Sequence, residues 1–384
     1  MKFSVYAVQF KETHRTVTTT NDKTEERWIS RFHPTKSILA CGSFQVVIFK
    51  TVNTSLPFSH WKEKKGKFGP SLDKQITALE WNVNGTQLAV GCEDGEIIVW
   101  NYPSVVIVFQ MNRHLNRVRD IKWNPIEHDL FATLQSGQAN LLIWHSYPRL
   151  HSKSNLCCEI KASNKECNRK IKWKSSVEYK TISQVEWITK NVIALGFSNG
   201  LIEISEIDEH ESGKSRVIKQ FNHKDGITSL IWNGRTQYLA SCSYDKRIKI
   251  WSLDTDEPIH NQEFNSYCYR LAWRPNGRTE DGIKATRKLH ENFYFVCGMK
   301  DGAILQWNPL DHYEMKKKIT VGGHSIESNQ TWTTVFKGKC NNLQGFSWLS
   351  TDSITDTNCK LALNSNGVKV EVIEYDKDRW PKLK

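Results

Sequence analysis

Four segments of this chain run from one tryptophan to another through the same order of residue types, and a unit repeated at a fixed interval restricts the fold more than any composition does. They are residues 76–100 (ITALEWNVNGTQLAVGCEDGEIIVW), 118–144, 227–251 (ITSLIWNGRTQYLASCSYDKRIKIW) and 268–307. Each holds an alternating run ending in Trp, a polar turn, a run of small residues, a tight turn often holding Asp or Gly, and a β-branched run. Ile227, Ser229 and Ile231 alternate with Thr228, Leu230 and Trp232, the two-residue period of a strand. Asp94-Gly95, Asn199-Gly200, Asp301-Gly302 and Asn366-Gly367 supply residues that tolerate positive φ where two such runs reverse.

Aligning the aromatic that ends the first run of each unit gives Phe32, Trp81, Trp123, Trp187, Trp232, Trp273 and Trp348, at steps of 49, 42, 64, 45, 41 and 75. Steps of 41 to 49 match one four-stranded propeller blade, and the longer ones carry insertions near 147–180, 275–290 and 311–342. The expectation is an all-β propeller of four-stranded antiparallel blades. Seven blades are evident, and 310–342 is too short and irregular to show an eighth clearly. The first unit has Phe32 for Trp, the fourth ends its third strand at Ser205, and the last ends without an aromatic. One domain over 1–384 follows, with blades in 28–375 and a basic tail in 376–384. The last unit stops after its third strand, while KFSVYAVQF in residues 2–10 alternates well. Residues 1–27 are therefore read as a closing strand and linker that remove an open sheet edge.

Ten cysteines in 384 residues fall short of a disulfide framework, and the N-terminal segment lacks the form of a secretory signal, so an intracellular setting is expected. No apolar run reaches the ~18 residues of a membrane span. The net charge of +12 gathers in WKEKKGK (61–67), RKIKWK (169–174) and MKKK (315–318). Solvated loops are one reading of these runs; a nuclear address or contact with nucleic acid is the other.

The best-formed unit contains His223, Ser241 (or Ser243), Asp245 and Trp251. A buried His and Asp need hydrogen-bond partners, which a Ser hydroxyl and an indole N–H can supply across a blade. A catalytic reading of the same trio is disfavoured because no G-x-S-x-G elbow occurs and the spacing from His223 to Trp232 recurs from His114 to Trp123. Cys157, Cys158 and Cys167, with His145 or His151, form a weak zinc candidate without a C-x-x-C pair. No phosphate-cradling glycine loop, paired-carboxylate motif or H-E-x-x-H appears, so neither chemistry nor a cofactor is expected. The working surface of a propeller is the face built from loops entering the first strand and from turns between the second and third. That places Gln75, Arg117 and Tyr267 at entering positions and Glu93, Tyr244 and Lys300 before the turns. Tyr and Arg are frequent binding hot spots, which puts Arg117, Tyr244 and Tyr267 first.

As a set, the units resemble WD40 repeats over most of residues 28–375, and the His223–Ser241–Asp245–Trp251 group resembles the hydrogen-bond network of that family. A closer resemblance is to the transducin β-like (Ebi-type) corepressor subunits. It rests on KQITALEWNVNGTQLAVGCEDGEIIVW, KDGITSLIWNGRTQYLASCSYDKRIKIWSLD and the Trp-less SQVEWITKNVIALGFSNGLIEISEI, and on an insertion directly after the turn in WRPNGRTEDGIKATRKLHENFYFVCGMKDGAILQW. The resemblance implies a nuclear scaffold in transcriptional corepression, with histone deacetylase subunits or histones as partners. That family has eight blades and begins with a LisH oligomerisation segment, and no helical pattern of that kind precedes residue 28. The alternative is a generic adaptor such as a ubiquitin-ligase substrate receptor or an RNA-processing subunit; the W-D-x-R signature of cullin-4 receptors is absent after Trp100, Trp144, Trp251 and Trp307.

Overall fold

The alternating runs pair into seven four-stranded antiparallel sheets in the computed structural model. The structure describes residues 4–7, 27–52, 56, 58–63, 68–69, 71–137, 140–147, 156–161, 181–207, 215–234, 236–273, 295–300, 303–307, 333–337, 343–349, 358–365 and 369–376. Blades 1 to 6 occupy residues 29–63, 76–112, 118–161, 182–222, 227–263 and 268–337, each formed by four strands consecutive in sequence. Blade 7 takes three strands from residues 343–376 and its outermost strand, Ser4–Ala7, from the N-terminus. Ser4 lies opposite Glu374 and Ala7 opposite Glu371, so the two ends of the chain are paired in one sheet.

The inner strands are Ile29–Phe32, Ile76–Trp81, Val118–Trp123, Ile182–Trp187, Ile227–Asn233, Cys268–Trp273 and Leu343–Trp348. Each touches the inner strand of the next blade, and the last touches the first, so the ring closes. Of residues 310–342, the described Thr333–Lys337 pairs with Ala303–Trp307 as the outer strand of blade 6 rather than starting an eighth blade. Seven inner strands already complete the circle, leaving no gap for another sheet.

Three recurring contacts hold adjacent blades together. The indole N–H of Trp81 donates to the Arg31 carbonyl at 3.3 Å, Trp123 to Glu80 at 3.2 Å and Trp187 to Lys122 at 2.9 Å. Each acceptor is the residue just before the aromatic that ends the previous inner strand. Glycines of the second strands admit the first residue of the next blade. A Cβ on Gly91 would come within 2.4 Å of Val118, and one on Gly196 within 2.7 Å of Ile227. The third contact arises at a bulge. In blades 2 to 7 the register between the first two strands skips the second residue of the inner strand. Where that residue is Thr77, Ser183 or Thr228, its hydroxyl donates to the next blade, to the carbonyls of Val118 (2.6 Å), Ile227 (2.8 Å) and Cys268 (2.6 Å).

Cys157 and Cys158 lie on the strand Leu156–Lys161, the outer strand of blade 3, and not in a loop. His145 instead sets its Nδ1 3.2 Å from Asp129 Oδ2. Cys167, His151, the basic runs at 169–174 and 315–318 and the tail at 377–384 lie outside the described residues.

Candidate functional site

Blade 5 brings its predicted network together. His223 Nδ1 lies 2.9 Å from Asp245 Oδ2 and its Nε2 2.7 Å from Ser241 Oγ, and Trp251 Nε1–H donates to the same hydroxyl at 2.8 Å. The chain from carboxylate to indole crosses the blade from its turn to its third strand. Asp245 also accepts the backbone N–H of Lys224 and Arg247, fixing the loop that enters the blade. Burial lowers the His223 pKa in spite of its carboxylate neighbour. Burial works against the Asp245 carboxylate, but the bond from His223 and the two N–H groups outweigh it and hold the acid at about 2. The Ser hydroxyl is buried between an imidazole and an indole, with no open space from which a substrate could approach. The group therefore acts as a structural tie and not as a nucleophile.

Blade 3 carries a second version that the sequence shows only in part. His114 Nε2 lies 2.8 Å from Thr133 Oγ1, which accepts from Trp144 Nε1 at 2.8 Å. The aspartate position is taken by Gly137, and Gln135 does its loop work, with Oε1 accepting the N–H of Leu115 and Asn116.

The six rim residues fall into two groups. Tyr244 and Tyr267 meet edge to face at 5.0 Å, Lys300 Nζ stands 4.9 Å over the Tyr267 ring, and the Tyr267 and Tyr269 hydroxyls are 3.0 Å apart. Tyr244 is 47% exposed. Across the ring, Gln75 donates its side-chain amide to the Arg27 carbonyl at 3.1 Å and its backbone N–H to the Glu93 carboxylate at 3.2 Å. Arg117 joins the two groups, because it lines, with Gln75 and Tyr244, a central cavity of about 480 Å³.

That cavity holds what sequence reading missed. Arg27, Arg31, Arg119, Arg270 and Tyr269 line it with Arg117, and Asp120 is the one carboxylate among the described residues that line it. Arg119 and Tyr269 occupy the bulge position of blades 3 and 6, where other blades carry the bridging hydroxyl. A bulge turns its residue away from the pleat, so a side chain there enters the channel instead of the sheet face. The repeat alignment contained this signal, since Thr77, Ser183 and Thr228 align with Arg119 and Tyr269 one residue into each inner strand. Nearer the tryptophan end, neighbouring blades carry alternating charge: Arg31 Nε bonds Glu80 at 2.8 Å and Lys122 Nζ bonds Glu186 at 2.9 Å. Burial raises the Glu186 pKa despite Lys122, and the carboxylates around Lys122 raise the Lys122 pKa against its own burial.

The sequence matches the WD domain, G-beta repeat family over residues 215–252 and the anaphase-promoting complex subunit 4 WD40 domain over residues 48–124. Among curated proteins it is similar to THO complex subunit 3 of Arabidopsis thaliana, at 22% identity over 67% of this chain and 70% of that one. It is also similar to the APC/C activator protein CDH1 of Saccharomyces cerevisiae, at 21% identity over 53% of this chain and 32% of that one. The alignments span from 15% to 70% of the length of the first relatives it matches. Among solved structures, the WD40 β-propeller domain of Doa1 superposes with a TM-score of 0.60 and 13% identity over 93% of this chain and 96% of that one.

Proposed function

We propose that this WD40 β-propeller is a non-enzymatic protein-binding subunit of a nuclear multiprotein assembly, working through the face around its central channel. The observation that carries the proposal is the rim of blades 5 and 6, where Tyr244, Tyr267, Tyr269 and Lys300 form one partly exposed aromatic and cationic cluster beside Arg117 and the channel mouth. Rigid rings offer large contact area at low entropic cost, and Arg beside them adds directional hydrogen bonding. The buried His–Ser–Asp–Trp tie fixes the turn that carries Tyr244, which is a scaffolding role.

Two finer readings divide the choice of assembly. The order of units, the Trp-less fourth blade and the insertion in the sixth support a corepressor subunit with histone deacetylase components or histones as partners. The likeness to an anaphase-promoting complex subunit, an APC/C activator and a THO complex subunit supports an adaptor in ubiquitin ligation or RNA processing. Affinity purification of the full chain with mass spectrometry separates them. Recovery of deacetylase subunits, lost on Tyr244→Ala with Tyr267→Ala, establishes the first; recovery of ligase or ribonucleoprotein components with the same dependence establishes the second. Partner recovery unchanged by those substitutions refutes the rim as the binding surface.

A further inference from the structure

The central cavity collects more positive charge than its own structure can use. Among the described residues, five guanidinium side chains line it against one carboxylate. Arg31 is satisfied by Glu80, and Arg270 Nη1 donates to Gln184 Oε1 at 3.0 Å. The guanidinium groups of Arg117 and Arg119 make no hydrogen bond or ion pair with the described residues, and Asp120 spends one oxygen on the N–H of Ile121 at 3.0 Å. Arg119 also stands where blades 2, 4 and 5 place a hydroxyl that bolts one blade to the next. The chain forgoes an interblade hydrogen bond at this position and gains a cation in the channel. Partial burial, and after it the fields of Arg270 and Arg117, depress the Arg119 pKa against the pull of Asp120 and Tyr244. Like charges converging on one channel raise its positive potential and favour a counter-charge there.

We propose that the cavity formed by Arg27, Arg31, Arg117, Arg119 and Arg270 is a binding site for a small, multiply phosphorylated anion. A carboxylate has two oxygens and satisfies one or two guanidinium forks, whereas phosphate groups present several oxygens in three dimensions and can engage forks converging from different blades. The arginines come from the segment preceding blade 1 and from the inner strands of blades 1, 3 and 6, or the residue preceding one, so the ligand sits at the centre of the ring and touches both halves of it. A volume of about 480 Å³ suits a compact polyanion of the inositol polyphosphate size and excludes a folded partner. This goes beyond the protein-binding role of the rim and does not depend on it.

The test uses the full chain, with inositol hexakisphosphate and inorganic tripolyphosphate as probes, in calorimetry and thermal melting at about 150 mM salt, where weak surface pairs are screened. The wild type is expected to bind at least one probe at micromolar or tighter affinity and to melt at a higher temperature with it. The Arg119→Thr variant restores the hydroxyl found in blades 2, 4 and 5 and removes one like charge, so without ligand it is expected to melt at or above the wild-type temperature while losing about tenfold or more in affinity. Arg270→Gln is expected to weaken binding similarly. No binding of either probe by the wild type, or equal binding by wild type and Arg119→Thr, overturns the proposal. Tight capture of a phosphoserine peptide by a protein that ignores both free probes overturns it too, by assigning the arginines to a partner chain.

Discussion

Replacing Ser241 with Ala removes a single oxygen on which two other buried groups depend. His223 Nε2 and Trp251 Nε1 both bond Ser241 Oγ, at 2.7 and 2.8 Å. Ser241 and Trp251 are 0% and 2% exposed, so water does not replace the lost partner. A buried donor or acceptor left unsatisfied costs about 1–3 kcal/mol, which gives about 2–6 kcal/mol for the indole N–H and the imidazole nitrogen together. At ~2.1 cal/mol/K of unfolding entropy per residue, a chain of 384 residues loses about 1 °C of melting temperature for each ~0.8 kcal/mol, so a drop of about 3–7 °C is expected. The assay is thermal melting of Ser241→Ala, Trp251→Phe and the double variant, with exposed Ser59→Ala as control. If the hydroxyl and indole are coupled as the distances show, the double variant loses less than the sum of the singles by about 1–2 kcal/mol. Additive losses, or a Ser241→Ala melt within 1 °C of the wild type, would refute the reasoning that this bond chain ties the blade together.

Acid should destabilise the propeller before its carboxylates titrate. Burial holds His33 and His114 at about 4, below the ordinary 6.5, so the unfolded chain takes up protons that the fold refuses. Their contribution is complete above pH ~6.5 and is lost as the pH falls from there through 4; a melting temperature flat between pH 7 and 4.5 contradicts it. Deleting residues 1–12 exposes the edge of Lys369–Asp376 and removes its four pairings with Ser4–Ala7, at an expected cost of at least about 2 kcal/mol in melting; an unchanged melt shows that the ring does not need its N-terminal strand. Gly91→Ala places a methyl against Val118 at the seam between blades 2 and 3 and is expected to cost about 1–3 kcal/mol, whereas a neutral effect would mean that the seam is loosely packed.

Much of this architecture is legible in the sequence, because a strand ending in Trp carries its own address. The blade limits follow from Trp81, Trp123, Trp187, Trp232 and Trp273, and the same residues bolt neighbouring blades through their indoles where those bonds are seen. The His223 network is legible because the spacing from His223 to Trp232 recurs from His114 to Trp123 and because its four residues resemble those of WD40 repeats. Its counterpart in blade 3 is half hidden: Gln135 takes over from an aspartate that would stand at Gly137, and only geometry shows that its oxygen reaches Leu115 and Asn116. The fate of Thr333–Lys337 was open because one short strand can start a blade or finish one, and ring closure decides between them. The channel arginines were least legible. Alternation assigns Arg119 to a sheet face, and only the skipped register at Val118/Asp120 turns it inward.

The claim that the rim around the channel is the working surface is tested most directly by photo-crosslinking in cells. A photoreactive phenylalanine analogue is placed at Tyr244, and in a separate protein at exposed Val217 on the outer strand of blade 4. The account predicts that Tyr244 yields discrete adducts with subunits of one assembly, that Arg117→Ala or Tyr267→Ala abolishes them, and that Val217 yields none of the same proteins. Adducts with those subunits from Val217 and none from Tyr244 would place the binding surface on the outer edge of the propeller and contradict the account.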